Sequence, residues 1–232
     1  LLRPLPTVKK PAIATYLPTW TGQRAVILDS GANVDCKPHQ IVRFATMGAV
    51  LSQYVLGNAT PRVALLSNGE EESKGDETTV ATNALLRQTD LNFVGNCEGN
   101  HLLSGDYDVI AADGFAGNIA LKTAEGTASM AFKILKREIM RDPISWTGGV
   151  LIRQAGKRVK KLMDYEETGG APLLGLNGLA IVCHGRSGKR AYYNAIRIAA
   201  EAVKLDLIRH LREELQHLAD QIGEGDNEEN GG

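Results

Sequence analysis

Val109-Ile110-Ala111-Ala112-Asp113-Gly114-Phe115-Ala116-Gly117-Asn118 passes from four apolar residues into a turn and then into a helix-like stretch. A short apolar run ending in such a turn reads as a buried strand feeding a helix. The pattern recurs. Ala25-Val26-Ile27-Leu28 runs into Asp29-Ser30-Gly31-Ala32-Asn33, and Val63-Ala64-Leu65-Leu66 into Ser67-Asn68-Gly69-Glu70. Phe93-Val94 runs into Gly95-Asn96-Cys97-Glu98-Gly99, and residues 179–183 into His184-Gly185-Arg186-Ser187-Gly188. Repeated strand, polar loop and helix predict a parallel α/β sheet whose loops gather at the carboxyl ends of the strands, where ligands bind in such folds. Loops rich in N–H groups at that edge suit an anionic ligand.

The remaining elements follow from periodicity. Residues 11–17 read as a short strand and 91–94 as another. Residues 38–56 carry Ile41, Phe44, Ala45, Gly48, Leu51 and Val55 at helical spacing. Helices are also expected over 78–89, from 117 to about 141, and over 189–218. The last ends in Ile208, Leu211, Leu215 and Leu218, a stripe that suits packing on its own domain or pairing with a second copy. Residues 1–222 thus read as one α/β domain, and the acidic, Gly-rich residues 223–232 as a disordered tail.

The chain has 232 residues, with 26 basic against 27 acidic, a balance that argues against a nucleic-acid partner. Its three cysteines, Cys36, Cys97 and Cys183, form no C-x-x-C pair, so neither a disulfide framework nor a zinc site is expected. A reducing cytoplasm is the default compartment. No apolar stretch is long enough to span a bilayer. No Gly-x-Gly-x-x-Gly, P-loop or Gly-x-Ser-x-Gly string occurs, and no helix-spaced pair of Asp residues suggests a divalent ion. No metal and no cofactor are therefore expected. The chain begins at Leu1 rather than Met, which reads as a fragment.

Six strings together resemble the phosphate acyltransferases of bacterial phospholipid synthesis. They are residues 28–38 (Leu28-Asp29-Ser30-Gly31-Ala32-Asn33 onward), 68–77 (Asn68-Gly69-Glu70-Glu71-Glu72-Ser73-Lys74-Gly75-Asp76-Glu77), 92–99, 113–123, 169–175, and His184-Gly185. They stand in that family's order and spacing from about residue 11 to about 197. The resemblance implies a three-layer α/β/α fold with a mostly parallel sheet, shared with isocitrate and isopropylmalate dehydrogenases and with phosphotransacetylases. It implies transfer of an acyl chain from acyl carrier protein to inorganic phosphate, giving acyl phosphate. It also implies an N-terminal portion, with Asp-Ala-Met-Gly-Gly and Ser-Ala-Gly-Asn-Thr-Gly strings, that this chain lacks. A phosphotransacetylase-type enzyme and a non-catalytic fragment binding acyl groups, membrane or a partner are the alternatives. Lys74-Gly75-Asp76 stands where Lys-Gly-Asn is usual, adding a negative charge.

Phosphate is a competent nucleophile and a thioester is already activated. The site therefore needs cationic and N–H donors rather than a nucleophilic side chain. Lys74 and Asn118 are the expected catalytic pair. Lys74 binds phosphate or the oxyanion, or else neutralises Glu70, Glu71 and Glu72. Asn118 donates its amide to the same centre, or else caps the helix. Asn33, Asn96, Glu98, Asp113, Gly117, Lys122 and His184 are expected around the phosphate. Each has a plainer use as a turn, cap, surface or buried structural residue.

Acyl carrier protein is acidic, and the chain has one basic concentration, about residues 130–165. It holds Lys133, Lys136, Arg137, Arg153, Lys157, Arg158, Lys160 and Lys161, with Trp146, Val150, Leu151, Ile152, Val159, Leu162 and Met163 among them. A protruding amphipathic hairpin that docks the carrier protein or rests on an anionic membrane surface is expected, or else a helical hairpin whose charged faces are simply solvated. Resemblance also implies a cytoplasmic, peripherally membrane-associated protein near the membrane acyltransferase that consumes acyl phosphate, and a homodimer is expected through the stripe of the last helix or the apolar residues of the hairpin.

Overall fold

The computed structural model describes residues 2–163, 169–183, 185 and 187–223 and holds eight strands and seven α-helices among them. They are β1 (Ala12–Ile13), β2 (Thr15–Pro18), β3 (Arg24–Leu28), α1 (Pro38–Val55), β4 (Val63–Leu66), α2 (Glu77–Leu86), β5 (Phe93–Cys97), β6 (Val109–Ala111), α3 (Gly114–Ile139), α4 (Pro143–Leu151), α5 (Arg153–Leu162), β7 (Ala171–Leu174), β8 (Ala180–Val182), α6 (Lys189–Lys204) and α7 (Leu207–Ile222). Five strands form one sheet in the order β2-β3-β6-β4-β5. β3, β6, β4 and β5 run parallel, and β2 closes the β3 edge antiparallel. Val109 stands beside Val26 on one side and Val63 on the other.

The central strands read as unbroken apolar runs because helices cover both faces. On one face α1 buries nearly its whole middle, from Gln40 to Ser52. Gly48 lets it lie directly on β6, since a Cβ there would stand 2.5 Å from Val109 Cγ1. α7 packs outside α1 through Leu207, Leu211, Leu215 and Leu218, all buried. Each such leucine contributes about 1.5–3 kcal/mol. On the other face Leu121 of α3 joins Leu17, Ala25, Ile27, Ala64, Cys97, Leu102 and Ile110. The result is the expected three-layer α/β/α fold with a mostly parallel sheet.

Three readings are corrected. The apolar run at residues 179–183 does not join the parallel sheet. β8 pairs antiparallel with β7, which pairs with β1 in a separate three-stranded sheet. Its Val182 is exposed, unlike the buried runs Ala25–Leu28 of β3 and Val109–Ala111 of β6; a short apolar run cannot announce its partner. The stretch 189–218 is two helices, not one. Asp206 takes a left-handed conformation, φ 51°, between them. Buried Ala191, Ala195, Ile198 and Ala202 repeat every three or four residues, but Leu207 follows after five. A continuous helix would turn that stripe by about 140° off its face. The apolar stripe of α7 faces its own core, which removes it as a pairing surface. The tail expected to be disordered lies, beyond Gly223, outside the described residues.

Candidate functional site

The carboxyl edge of the parallel sheet has two built corners. The first follows β3. Asp29 is fully buried, and its carboxylate accepts five hydrogen bonds. Oδ1 accepts from the backbone N–H groups of Ile13, Gly31 and Ala32 at 3.0–3.1 Å. Oδ2 accepts from the Asn33 backbone at 2.7 Å and from Asn33 Nδ2 at 2.8 Å. This loop is an N–H nest of the kind that cradles anions, and the chain's own carboxylate fills it. Asn33 Nδ2 also donates to the Pro11 carbonyl at 2.8 Å, so Asn33 is structural.

α3 docks on this corner. The Gly114 N–H donates to the Asn33 carbonyl at 2.7 Å. A Cβ on Gly117 would sit 2.0 Å from the Asp29 carbonyl oxygen. Gly117 is therefore a contact between helix and loop. Asp113 caps the helix, with Oδ1 accepting from the N–H groups of Phe115 at 2.7 Å and Ala116 at 2.9 Å. The helix thus starts three residues before the predicted point, and Asn118 is in its second turn rather than at the cap. The Asn118 side chain is exposed beside Gly31, whose added Cβ would lie 3.4 Å from its Cγ. It makes no hydrogen bond to a described residue. Lys122 is turned to other use, donating to Glu125 at 2.8 Å on the exposed face.

The second corner joins the loops after β4 and β5. Lys74 is exposed, its backbone N–H donating to the Glu71 carbonyl at 3.0 Å. Its aliphatic stem crosses Gly69, where a Cβ would stand 2.5 Å from Lys74 Cγ. Among the described residues its ammonium has no ion-pair partner. Gly75 turns at φ 110°, and Asp76 caps α2 by accepting from the Thr79 N–H at 2.7 Å. Asn caps a helix as well as Asp does, so the departure at Asp76 preserves a structural job. The Thr79 hydroxyl and N–H hold the Asp76 carboxyl below its usual value.

Asn96 is buried behind Lys74, at 4% exposure, with its amide taken up inside the fold. Nδ2 donates to the Glu71 carbonyl at 2.8 Å and Oδ1 accepts from Asn83 Nδ2 at 2.8 Å. Glu98 is half-buried and opens a short 3-10 turn, Gly99–His101, through its backbone. Sequence reading passed over His101, which stands 3.9 Å from Glu70 and 3.8 Å from Asp106. It also passed over Asn83, a polar residue in an otherwise ordinary helix. Burial, followed by the charges of Asp106, Glu70 and Glu98, pushes the Cys97 thiol up to about 12. Cys97 is thus a neutral thiol at neutral pH and no thiolate nucleophile.

β6 and β4 are adjacent parallel strands, so Asn118 and Lys74 stand at one edge on neighbouring crossovers. The basic residues do not. Lys133, Lys136, Arg137, Arg153, Lys157, Arg158, Lys160 and Lys161 are all exposed on the far part of α3 and on α5. α3 carries this region up to about 30 Å from Asn118. No residue from 122 to 163 is buried. Two cavities lie away from the edge as well. One, of about 690 Å³, is lined by Arg137, Glu138, Met140 and Arg141. The other, of about 190 Å³, lies at the opposite ends of the strands, near Pro61 and Asn92. His184 lies outside the described residues. Among the described residues, no cluster of His, Cys, Asp or Glu could hold a metal ion.

A family model described as "Fatty acid synthesis protein" matches residues 1–210. The phosphate acyltransferase of Pelobacter propionicus is 47% identical over 215 residues, covering 93% of this chain and 62% of that protein. That of Pelotomaculum thermopropionicum is 47% identical over 211 residues, covering 91% of this chain and 61% of the relative. That of Campylobacter concisus is 45% identical over 215 residues, covering 93% and 65%. The chain therefore spans somewhat less than two thirds of the length of these relatives. A phosphotransacetylase from Streptococcus pyogenes shares the fold, with a TM-score of 0.52 at 17% identity, covering 88% of this chain and 57% of that one.

Proposed function

The chain belongs to the fatty acid synthesis protein family, that of the phosphate acyltransferases, and from that premise we propose that it takes part in acyl transfer from acyl carrier protein to inorganic phosphate, in phospholipid synthesis. The observation that carries the reading is the pairing of an ammonium and an amide on neighbouring crossovers of one sheet edge. Lys74 and Asn118 both stand there, the ammonium without an ion pair and the amide without a hydrogen bond among the described residues. The buried, neutral Cys97 thiol agrees with direct attack rather than a covalent enzyme intermediate.

In this reading Lys74 holds phosphate as a point charge against the thioester. A phosphate oxygen forms a bond to the carbonyl carbon, and the tetrahedral oxyanion takes a hydrogen bond from the Asn118 amide. The carbon–sulfur bond then breaks. The thiolate of the carrier takes the proton from hydrogen phosphate, and acyl phosphate leaves. A phosphotransacetylase reaction has only a likeness of fold behind it. Phosphate-dependent release of thiol from acyl carrier protein tests the proposal. Thiol release that ignores phosphate, or a requirement for coenzyme A thioesters, overturns it.

We further propose that the region of α4 and α5 rests on an anionic membrane surface. Ile152, Ala155, Val159 and Leu162 line one side of α5 among five basic residues, and Ile144, Trp146 and Leu151 are more than half exposed nearby. Anionic lipid rewards this mixture of charge and uncovered apolar area. No helix of the described residues is long and apolar enough to cross a membrane, so attachment would be peripheral. Reversing the charge of Lys157 and Lys160 should abolish cosedimentation with anionic vesicles at low salt. Unchanged sedimentation, with loss only of carrier-protein affinity, assigns the surface to the carrier instead. The expected homodimer would use the exposed side of α6, with Tyr193, Ile196 and Val203, and sedimentation equilibrium tests it.

A further inference from the structure

The turn that carries Lys74 is gripped from behind by a directional chain of hydrogen bonds. Arg87 Nε donates to Asn83 Oδ1 at 2.9 Å, Asn83 Nδ2 to Asn96 Oδ1 at 2.8 Å, and Asn96 Nδ2 to the Glu71 carbonyl at 2.8 Å. The chain starts at a guanidinium, which can only donate, and ends at a carbonyl, which can only accept. That fixes the orientation of both intervening amides. Asn83 and Asn96 are 2% and 4% exposed, so water does not stand in for either partner. The Glu71 carbonyl also accepts the Lys74 N–H. Arg87 returns to the same turn, pairing with Glu72 at 2.8 Å while lying over the Phe93 ring. Two adjacent residues of the turn, Glu71 and Glu72, are thus tied to one relay that spans α2 and β5.

We infer that Arg87, Asn83 and Asn96 are positioning residues for Lys74: they set the backbone turn from which its ammonium meets phosphate. A lysine on a free surface loop samples many directions, and binding must then restrict it at an entropic cost. A turn pinned at Glu71 and Glu72 presents the side chain from a fixed origin. This role rests on the proposed function of Lys74 and adds to it. Asn96, expected at the phosphate itself, acts one residue layer behind it.

The test reads Lys74 directly. Wild-type protein is labelled with an amine-reactive reagent at rising inorganic phosphate, and modification of Lys74 is followed by peptide mass. The variants are Asn96→Asp, which still accepts from Asn83 but faces the Glu71 carbonyl with an oxygen, and Arg87→Gln, which acts from the half-exposed end and spares the buried pair. Phosphate should protect Lys74 in wild type. The concentration giving half-protection should rise about tenfold in Asn96→Asp and about two- to threefold in Arg87→Gln. In steady-state assays KM for phosphate should rise by similar factors, with KM for the acyl carrier unchanged. Protection unchanged in both variants overturns the relay and leaves the function of Lys74 standing. Equal rises in KM for both substrates mark a general structural fault and also overturn it. If phosphate fails to protect Lys74 in wild type, the proposed function falls, and the relay's role with it. Arg87→Gln decides the matter should Asn96→Asp fail to fold.

Discussion

The loops after β3 and β4 flank β6 at one edge of one sheet, yet they treat negative charge in opposite ways. The β3 loop turns Gly31, Ala32 and Asn33 inward onto Asp29. The β4 loop turns outward and leaves the Lys74 ammonium without an ion pair among the described residues. Both strings are small, polar and rich in Gly, and both suggest anion binding when read alone. Only one has capacity left for a ligand. A nest of N–H groups is an anion site only if the chain does not supply the anion.

The largest effect should come from testing the closed corner. Asn in place of Asp29 keeps the shape but turns a donor toward N–H groups that had an acceptor. Leaving one or more buried donors unsatisfied costs about 3 kcal/mol or more. Asp29→Asn should therefore lower the urea midpoint steeply, and a loss under about 1 kcal/mol would mean the nest is open to solvent after all. The open corner should behave in the converse way. Lys74→Ala should reduce phosphate-dependent thiol release by about a hundredfold, the scale of one lost charged contact at a reacting centre. Its stability should stay within about 0.5 kcal/mol of wild type, as for an exposed side chain. A variant that lost stability and activity together would erase the contrast between the corners.

How much of this was legible in the sequence follows the same division. Strands β3, β4 and β6 were readable because burial on both faces leaves an apolar run followed by turn residues. The second sheet was not, because residues 179–183 look the same whichever neighbour they pair with. The break at Asp206 was visible only as a five-residue step between two apolar stripes. At the site, Lys74 and Asn118 stood out by the strings around them and are at the same edge. Asn33, Asn96, Asp113 and Gly117 were also singled out, but their polar or small character serves the scaffold. They bind Asp29, hold the Glu71 carbonyl, cap α3, and let α3 touch the Asp29 carbonyl. Residue type shows that a hydrogen bond will be made, not whether its partner is a ligand or the chain itself. Asn83 gave no signal, since a buried asparagine inside a helix reads like a surface one.

The smallest effect concerns the residue between these two behaviours. Asp76 adjoins the Lys74-Gly75 turn, yet its charge is engaged by the Thr79 hydroxyl and N–H, which hold its carboxyl below the ordinary range. A carboxylate with a lowered folded value contributes stability above its unfolded value, about pH 4, and loses it as pH falls through the lower folded value. Asp76→Ala should cost about 1 kcal/mol near pH 7, as loss of a helix cap does. Asp76→Asn should stay within about 0.5 kcal/mol there, because the amide oxygen accepts the same hydrogen bond. Below pH 4 the wild type should lose ground against the Asn variant, by only a few tenths of a kcal/mol given the exposure of the carboxylate. Urea midpoints of both proteins at pH 6 and pH 3 measure this. Parallel pH profiles would mean that the Asp76 carboxylate is not committed to the cap.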